Sequence, residues 1–145
     1  MIWRCKVPQR ARSSGFTLLE LMVVLLILAL LGTVAAPEVI KHLRKAKAET
    51  AKIQIDALAA AVDFFNTDVG RYPTQQEGLP ALLAAPSGAA HWDGPYVKKS
   101  VSLVDPWGEK YLYKIPGDHG AFDVYTLGAD KAPGGIGDAA DVGNW

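Results

Sequence analysis

The 145-residue chain contains one cysteine, Cys5, and only three histidines. A lone cysteine cannot close a disulfide within the chain, so cysteine usage is silent about an oxidising compartment. Cys5 also stands before the long apolar run, whereas a bacterial lipoprotein carries its cysteine at the end of that run. His42, His91 and His119 are scattered, none beside a serine or cysteine, and no phosphate-cradling glycine motif opens a helix. The usual layouts for nucleophilic and phosphoryl-transfer catalysis are therefore missing, which argues against an enzyme. No basic face with interleaved aromatics is present either, so nucleic acid is excluded as a partner. The length allows one small domain with an appendage and is too short for a large enzyme.

What is present is segregated charge and one long apolar run. The formal net charge is zero, yet residues 1–15 carry Arg4, Lys6, Arg10 and Arg12 with no acid. After Tyr113 stand Asp118, Asp123, Asp130, Asp138 and Asp141 against two lysines, so the basic and acidic ends have different tasks. From Phe16 to Ala36 the chain is apolar except for Thr17, Glu20, Gly32 and Thr33. That is about the ~20 residues a helix needs to cross a bilayer. The Arg and Lys excess before the run predicts a cytoplasmic N-terminus and an exported remainder.

Beyond Pro37 the pattern becomes that of an amphipathic helix. Ile40, Leu43, Ala51, Ile55, Leu58, Val62 and Phe65 recur at spacings of three and four, apart from the gap across Lys47, opposite Lys41, Lys45, Glu49, Lys52, Asp56 and Asp63. One helix from about Phe16 to about Asn66 is expected, gently bent at Pro37 and stopped by Asp68, Val69 and Gly70. The Pro-, Gly- and Ala-rich stretch from Arg71 to Ser102 reads as a long connection with a short helix around Leu79 to Ala84. Lys110 to Ile115 and Ala121 to Leu127 read as two strands joined by the loop Pro116-Gly117-Asp118-His119-Gly120. The last eighteen residues, from Gly128, read as acidic loop. The fold class is thus α+β, a small antiparallel sheet covering the helix stripe. Trp107, in Asp105-Pro106-Trp107-Gly108, is expected at a turn with its ring capping the core, and Tyr72-Pro73 is likewise structural.

Two processing schemes compete at the start of the chain. A basic leader before an apolar run is also the layout of a secretory signal, with Val34-Ala35-Ala36 as its cleavage site. Against that, the run exceeds the usual ~7 to 15 apolar residues of such a signal and carries Glu20, and Pro37 would directly follow the cut. The other scheme cuts between Gly15 and Phe16, creating an α-amino group four residues before Glu20. A carboxylate in hydrocarbon costs ~2.5 to 3.5 kcal/mol on insertion scales, so it calls for a partner. The Phe16 amine is the expected partner, from the same chain in lipid or from a neighbour when chains pack, in which case the pairing sets their stagger; the alternative reading is that Glu20 only marks an interfacial helix end. Lys41, Arg44 and Glu49 are further candidates for pairing between chains.

The acidic tail is the second candidate site. Asp130, Asp138 and Asp141 lie on a loop in which Gly134, Gly135 and Gly137 free the backbone to curl. Hard oxygen donors in irregular geometry suit calcium, whereas zinc would want His or Cys. Taken alone, the pattern leaves both a solvated acidic loop and a metal site open.

Gly15-Phe16-Thr17-Leu18-Leu19-Glu20, after a basic leader and before an apolar helix with Pro37, resembles the type IV prepilin signature. Gly70-Arg71-Tyr72-Pro73-Thr74, Glu77-Gly78-Leu79, Asp105-Pro106-Trp107-Gly108, Leu127-Gly128-Ala129-Asp130 and Asp141-Val142-Gly143-Asn144-Trp145 resemble the major pseudopilins of type II secretion. The resemblance spans essentially the whole chain. It implies a pilin-like fold with a cleaved leader over 1–15, a transmembrane and filament-core helix over 16–36, and a periplasmic head over 37–145. It implies cleavage by prepilin peptidase after Gly15, N-methylation of Phe16, and assembly through Phe16, Glu20 and Pro37. The expected function is a homopolymer grown from the inner membrane into the periplasm, driving folded proteins across the outer membrane. The implied partners are minor pseudopilins, an inner-membrane assembly platform and its ATPase. The resemblance further implies a structural calcium held by the Leu127 carbonyl, Asp130 and Asp141. Relatives carry an acid one or two residues before the last of these, where this chain has Ala140 and Ala139. Asp138 as replacement through a shifted loop and water as replacement both remain open. The alternatives are a type IV pilus subunit, usually with a longer head closed by a cysteine pair, and a secreted calcium-binding domain.

Overall fold

The computed structural model describes residues 16–98 and 103–145. They fall into two units, one ending at Val39 and one running from Ile40 to Trp145.

In the first unit the helix α1 begins. It spans Leu18–Val69 and includes Pro37. Proline cannot donate the intrahelical bond at its position, but the helical pattern on both sides carries the element past it. Thr17 caps the start: its hydroxyl accepts the Glu20 amide at 3.2 Å and its carbonyl accepts the Leu21 amide at 3.2 Å. Phe16 therefore precedes the cap. Side chains from Phe16 to Thr33 are all exposed, and these apolar surfaces are covered by none of the described residues of the unit.

In the second unit α1 continues through Asp68 and Val69, beyond the expected end near Asn66. Gly70 alone stops it, with φ of 78°. Ala51, Ile55, Leu58, Val62 and Phe65 are buried as the stripe predicts, whereas Ile40 and Leu43 are exposed. The reason is extent: the loops and sheet that bury the stripe do so only from Ala51 onward.

The connection after α1 is long and wraps the core, as expected. The short helix within it is a 3-10 turn over Leu79–Leu82, with Leu79, Ala81 and Leu82 buried. Tyr96 stacks edge-on against Phe65, with ring centroids 5.8 Å apart, and donates to Asp68 at 2.8 Å. Trp92 donates its Nε1 to the Ala81 carbonyl at 3.0 Å and packs on the same core. That is the capping role expected of Trp107, which is half-buried and outside the core cluster. The turn itself is as read: the Asp105 carboxylate accepts the Trp107 and Glu109 amides at 2.9 and 2.8 Å.

Three antiparallel strands follow in the order β1 (Leu112–Lys114), β2 (Asp123–Thr126) and β3 (Val142–Gly143). Tyr113 faces Val124 across the first pair, and Thr126 faces Val142 across the second. The first two strands are shorter than predicted, and β3 falls where only loop was expected. The outer edge of β1 is taken up by a side chain. Gln75 donates to the Tyr113 carbonyl at 2.7 Å and accepts the Ile115 amide at 3.0 Å, standing in for a fourth strand.

Candidate functional site

Of the residues expected to serve processing and assembly, Phe16, Glu20 and Pro37 lie in the first unit and Gly15 lies outside the described residues. Glu20 is exposed in the first turn of α1, where a carboxylate complements the unsatisfied amides of a helix start. Phe16 is 82% exposed. Lys41 and Arg44 are exposed on the helix, and Lys45 pairs with Glu49 at 3.7 Å between two largely solvated side chains. Such a pair contributes little to the stability of a single chain.

The tail loop runs from the end of β2 to the start of β3. Leu127 directly follows β2, and Asp130 stands exposed with Oδ1 accepting the Ala132 amide at 3.1 Å. Lys131 adopts φ of 58°, a backbone conformation that side chains rarely take. The loop is pinned back on itself between Gly134 and Asp141. The Gly134 amide donates to Asp141 Oδ2 at 3.0 Å, and the Asp141 amide to the Gly134 carbonyl at 3.2 Å. Gly135 has to be glycine: φ is 86°, and a Cβ there would lie 2.1 Å from the Ala139 carbonyl oxygen.

Asp141 Oδ1 is buried and has no hydrogen-bond partner among the described residues. Leaving a buried carboxylate oxygen unpaired is costly, and a cation would satisfy it. The donors are all oxygens, which fits a hard cation such as calcium and no softer metal. Among the described residues no three His, Cys, Asp or Glu side chains converge on one point. The side chain of Asp138 lies outside the described residues.

Sequence reasoning missed a second polar centre, at Arg71 and Glu77. Two parallel bonds of 2.6 and 2.8 Å join the guanidinium to the carboxylate. Thr74 and Glu77 also bond reciprocally: the Thr74 amide donates to Glu77 Oε2 at 2.8 Å, and the Glu77 amide to the Thr74 hydroxyl at 3.3 Å. The Arg71 fork, helped by the Thr74 amide against the opposing effect of burial, brings the Glu77 pKa down to about 2. Thr-x-x-Glu was visible in the sequence as a capping signal, but its link to Arg71 obeys no period. The centre fixes the start of the long connection over Phe65, whose ring lies 5.8 Å from the Arg71 guanidinium.

Residues 38–145 match the model of the family described as type II secretion system (T2SS), protein G. The chain belongs to the type II secretion system protein G family. Residues 10–36 of this protein G family member match the prokaryotic N-terminal methylation motif. It is 46% identical over 142 residues to the type II secretion system core protein G of Pseudomonas aeruginosa, covering 94% of this chain and 98% of that one. Its identity to the Vibrio cholerae core protein G is 42% over 137 residues, with 92% of each chain covered. The crystal structure of the major pseudopilin from the type 2 secretion system of enterohaemorrhagic Escherichia coli superposes with a TM-score of 0.59 at 31% identity. That match covers 72% of this chain and 87% of the other. The protein G family member is accordingly a structural subunit of the type II secretion pseudopilus. A pilus subunit is not favoured, nor is a secreted calcium-binding domain. The apolar half of α1 is consistent with anchoring in the inner membrane.

Proposed function

We propose that this pseudopilin is stored in the inner membrane with its N-terminus in the cytoplasm and its head in the periplasm. It is cut between Gly15 and Phe16 by prepilin peptidase, N-methylated on Phe16 and then polymerised. The observation that carries this reading is the unrelieved exposure of apolar side chains from Phe16 to Thr33, with one acid, Glu20, in the first helical turn. Such a surface needs lipid or copies of itself around it. The acid needs a cation, and the Phe16 amine freed by cleavage supplies one. Pairing Glu20 with the amine of a neighbouring chain fixes how far one copy is displaced along the next. Minor pseudopilins, the inner-membrane platform and its ATPase complete the machine, which exports folded proteins by extending the polymer. The role is structural and non-enzymatic.

Calcium belongs to the same proposal. The Leu127 carbonyl, Asp130, Asp138 and Asp141 would hold it, and the buried Oδ1 of Asp141, without a partner among the described residues, supports that assignment. When bound, the ion supplies charge compensation and a cross-link in a loop with few apolar side chains to order it. Within the chain, Gly134 and Gly135 let the backbone turn so that Asp141 stays aimed inward.

N-terminal sequencing of the mature protein tests the processing step. N-methylphenylalanine at Phe16 is the expected first residue. A mature chain starting at Pro37 would mean that the apolar run is discarded, and the assembly reading would fail.

A further inference from the structure

The strand β3 has two residues, too few ladder bonds to hold the segment after it in place. Yet Gly143 is buried, and every one of the last three residues is held by a side chain from elsewhere or by its own. The Lys52 ammonium, on α1, donates to the Gly143 carbonyl at 2.9 Å while pairing with Asp56 at 3.2 Å. The Asn144 side chain continues the ladder where the strand ends: its Oδ1 accepts the Val124 amide at 2.9 Å, and its Nδ2 donates to the Phe122 carbonyl at 3.3 Å. The Asn144 amide itself donates to the Val124 carbonyl at 3.2 Å. Trp145 folds back across Gly143, where a Cβ would lie 2.1 Å from the indole ring, and stacks on His119 with centroids 3.9 Å apart. His119 is in turn fixed by Asp123, buried at 3% exposure, through Nδ1 at 3.1 Å.

We propose that Gly143-Asn144-Trp145 form a clasp, closed without metal, that holds the far end of the tail loop so that a cation meets a loop already closed. Lys52, Asn144 and Trp145 are positioning residues in this scheme and ligate nothing. The inference rests on the calcium reading above. Its physical basis is the cost of ordering a loop: bringing the ends together and fixing the interior are separate costs. The clasp meets the first, because β2 and β3 are paired on either side of the loop, Thr126 against Val142 and Tyr125 against Gly143. The ion then has only to order the interior, where the Gly134 and Asp141 pairing already sketches the turn. Groups that orient ligands without touching the metal commonly change affinity about 10- to 100-fold when removed.

The test uses the full chain in detergent micelles, with calcium titrated by calorimetry and amide hydrogen exchange read in calcium and in chelator. Wild type is expected to bind calcium and Asp130→Ala to lose most of that binding. Asn144→Ala should bind about 10- to 100-fold more weakly. Lys52→Met, altered on a helix that does not depend on this bond, should weaken binding in the same direction and guards against misfolding of the Asn144 variant. In chelator the wild-type Val124 and Asn144 amides should stay protected while those of Gly134 and Asp141 exchange. Wild-type affinity in both folded variants would overturn the clasp, as would loss of protection at Val124 and Asn144 together with the loop. A wild-type chain that binds no calcium would instead overturn the calcium reading. The two failures are distinguishable, because protection at Val124 and Asn144 is measured without metal.

Discussion

At the scale of single residues, the head depends on charges held by several bonds at once. Glu77 accepts from Arg71 twice and from the Thr74 amide, which explains a carboxyl pKa of about 2 against an ordinary 4.5. A folded-state pKa below the unfolded one means that the ionised form stabilises the fold above pH 4.5. That contribution is lost as pH falls toward 2. Glu77→Gln is therefore expected to cost about 1 to 2 kcal/mol at pH 7, allowing for the partly solvated Arg71 edge. In thermal melts at falling pH the gap between variant and wild type should close across that window. A gap independent of pH would assign the loss to packing. Asp123 follows the same logic: burial works to raise its carboxyl, but the Asp118 amide and the His119 ring and amide outweigh it and leave it below the ordinary range. These centres were hard to read from sequence. Arg71 and Glu77 are six residues apart in a loop without periodicity, and Asp105 and Asp123 are held by backbone amides together with the Thr126 hydroxyl and the His119 ring, partners that no residue pattern marks. Asp130 and Asp141 stood out as acids on a glycine-rich loop, a pattern that by itself fits a solvated loop as well as a cation site.

At the scale of elements, α1 was the easiest to read and the sheet the hardest. The spacing of Ile55, Leu58, Val62 and Phe65 identifies both the helix and its covered face. The same spacing also recruits Ile40 and Leu43, which no described residue of their unit covers. Periodicity reports which side chains want shelter; whether an element reaches them depends on where the sheet and loops extend. The strand β3 escaped detection because it has a single branched residue, Val142, and owes its place to Asn144, Lys52 and the edge of β2. Trp92 took the place foreseen for Trp107 because the turn at Asp105 satisfies its own backbone and leaves the Trp107 ring half-solvated. Two substitutions on one helix make the contrast measurable. Leu58→Ala, at a fully buried site, is expected to cost about 2 to 5 kcal/mol in denaturant unfolding of the head. Ile53→Ala, at a site 70% exposed, should stay within about 0.5 kcal/mol. Equal losses would mean that Ile53 is covered within the chain.

At the scale of the whole molecule, the assembly proposed for the apolar start of α1 can be tested apart from the fold of the head. Glu20→Ala removes one exposed carboxylate and no packing, so membrane insertion and leader cleavage should remain intact. Filaments on overproduction, examined by electron microscopy, should disappear; normal filaments from this variant would remove the Glu20 and Phe16 amine pairing from the mechanism. Polymers of this kind crowd many heads at very high local concentration, a setting in which exposed strand edges invite unwanted pairing. The Gln75 side chain matters here beyond its two bonds. It occupies the outer edge of β1, while the opposite edge ends in a strand of only two residues. Neighbouring copies thus find little open backbone to recruit, which disfavours fusion of one sheet into the next.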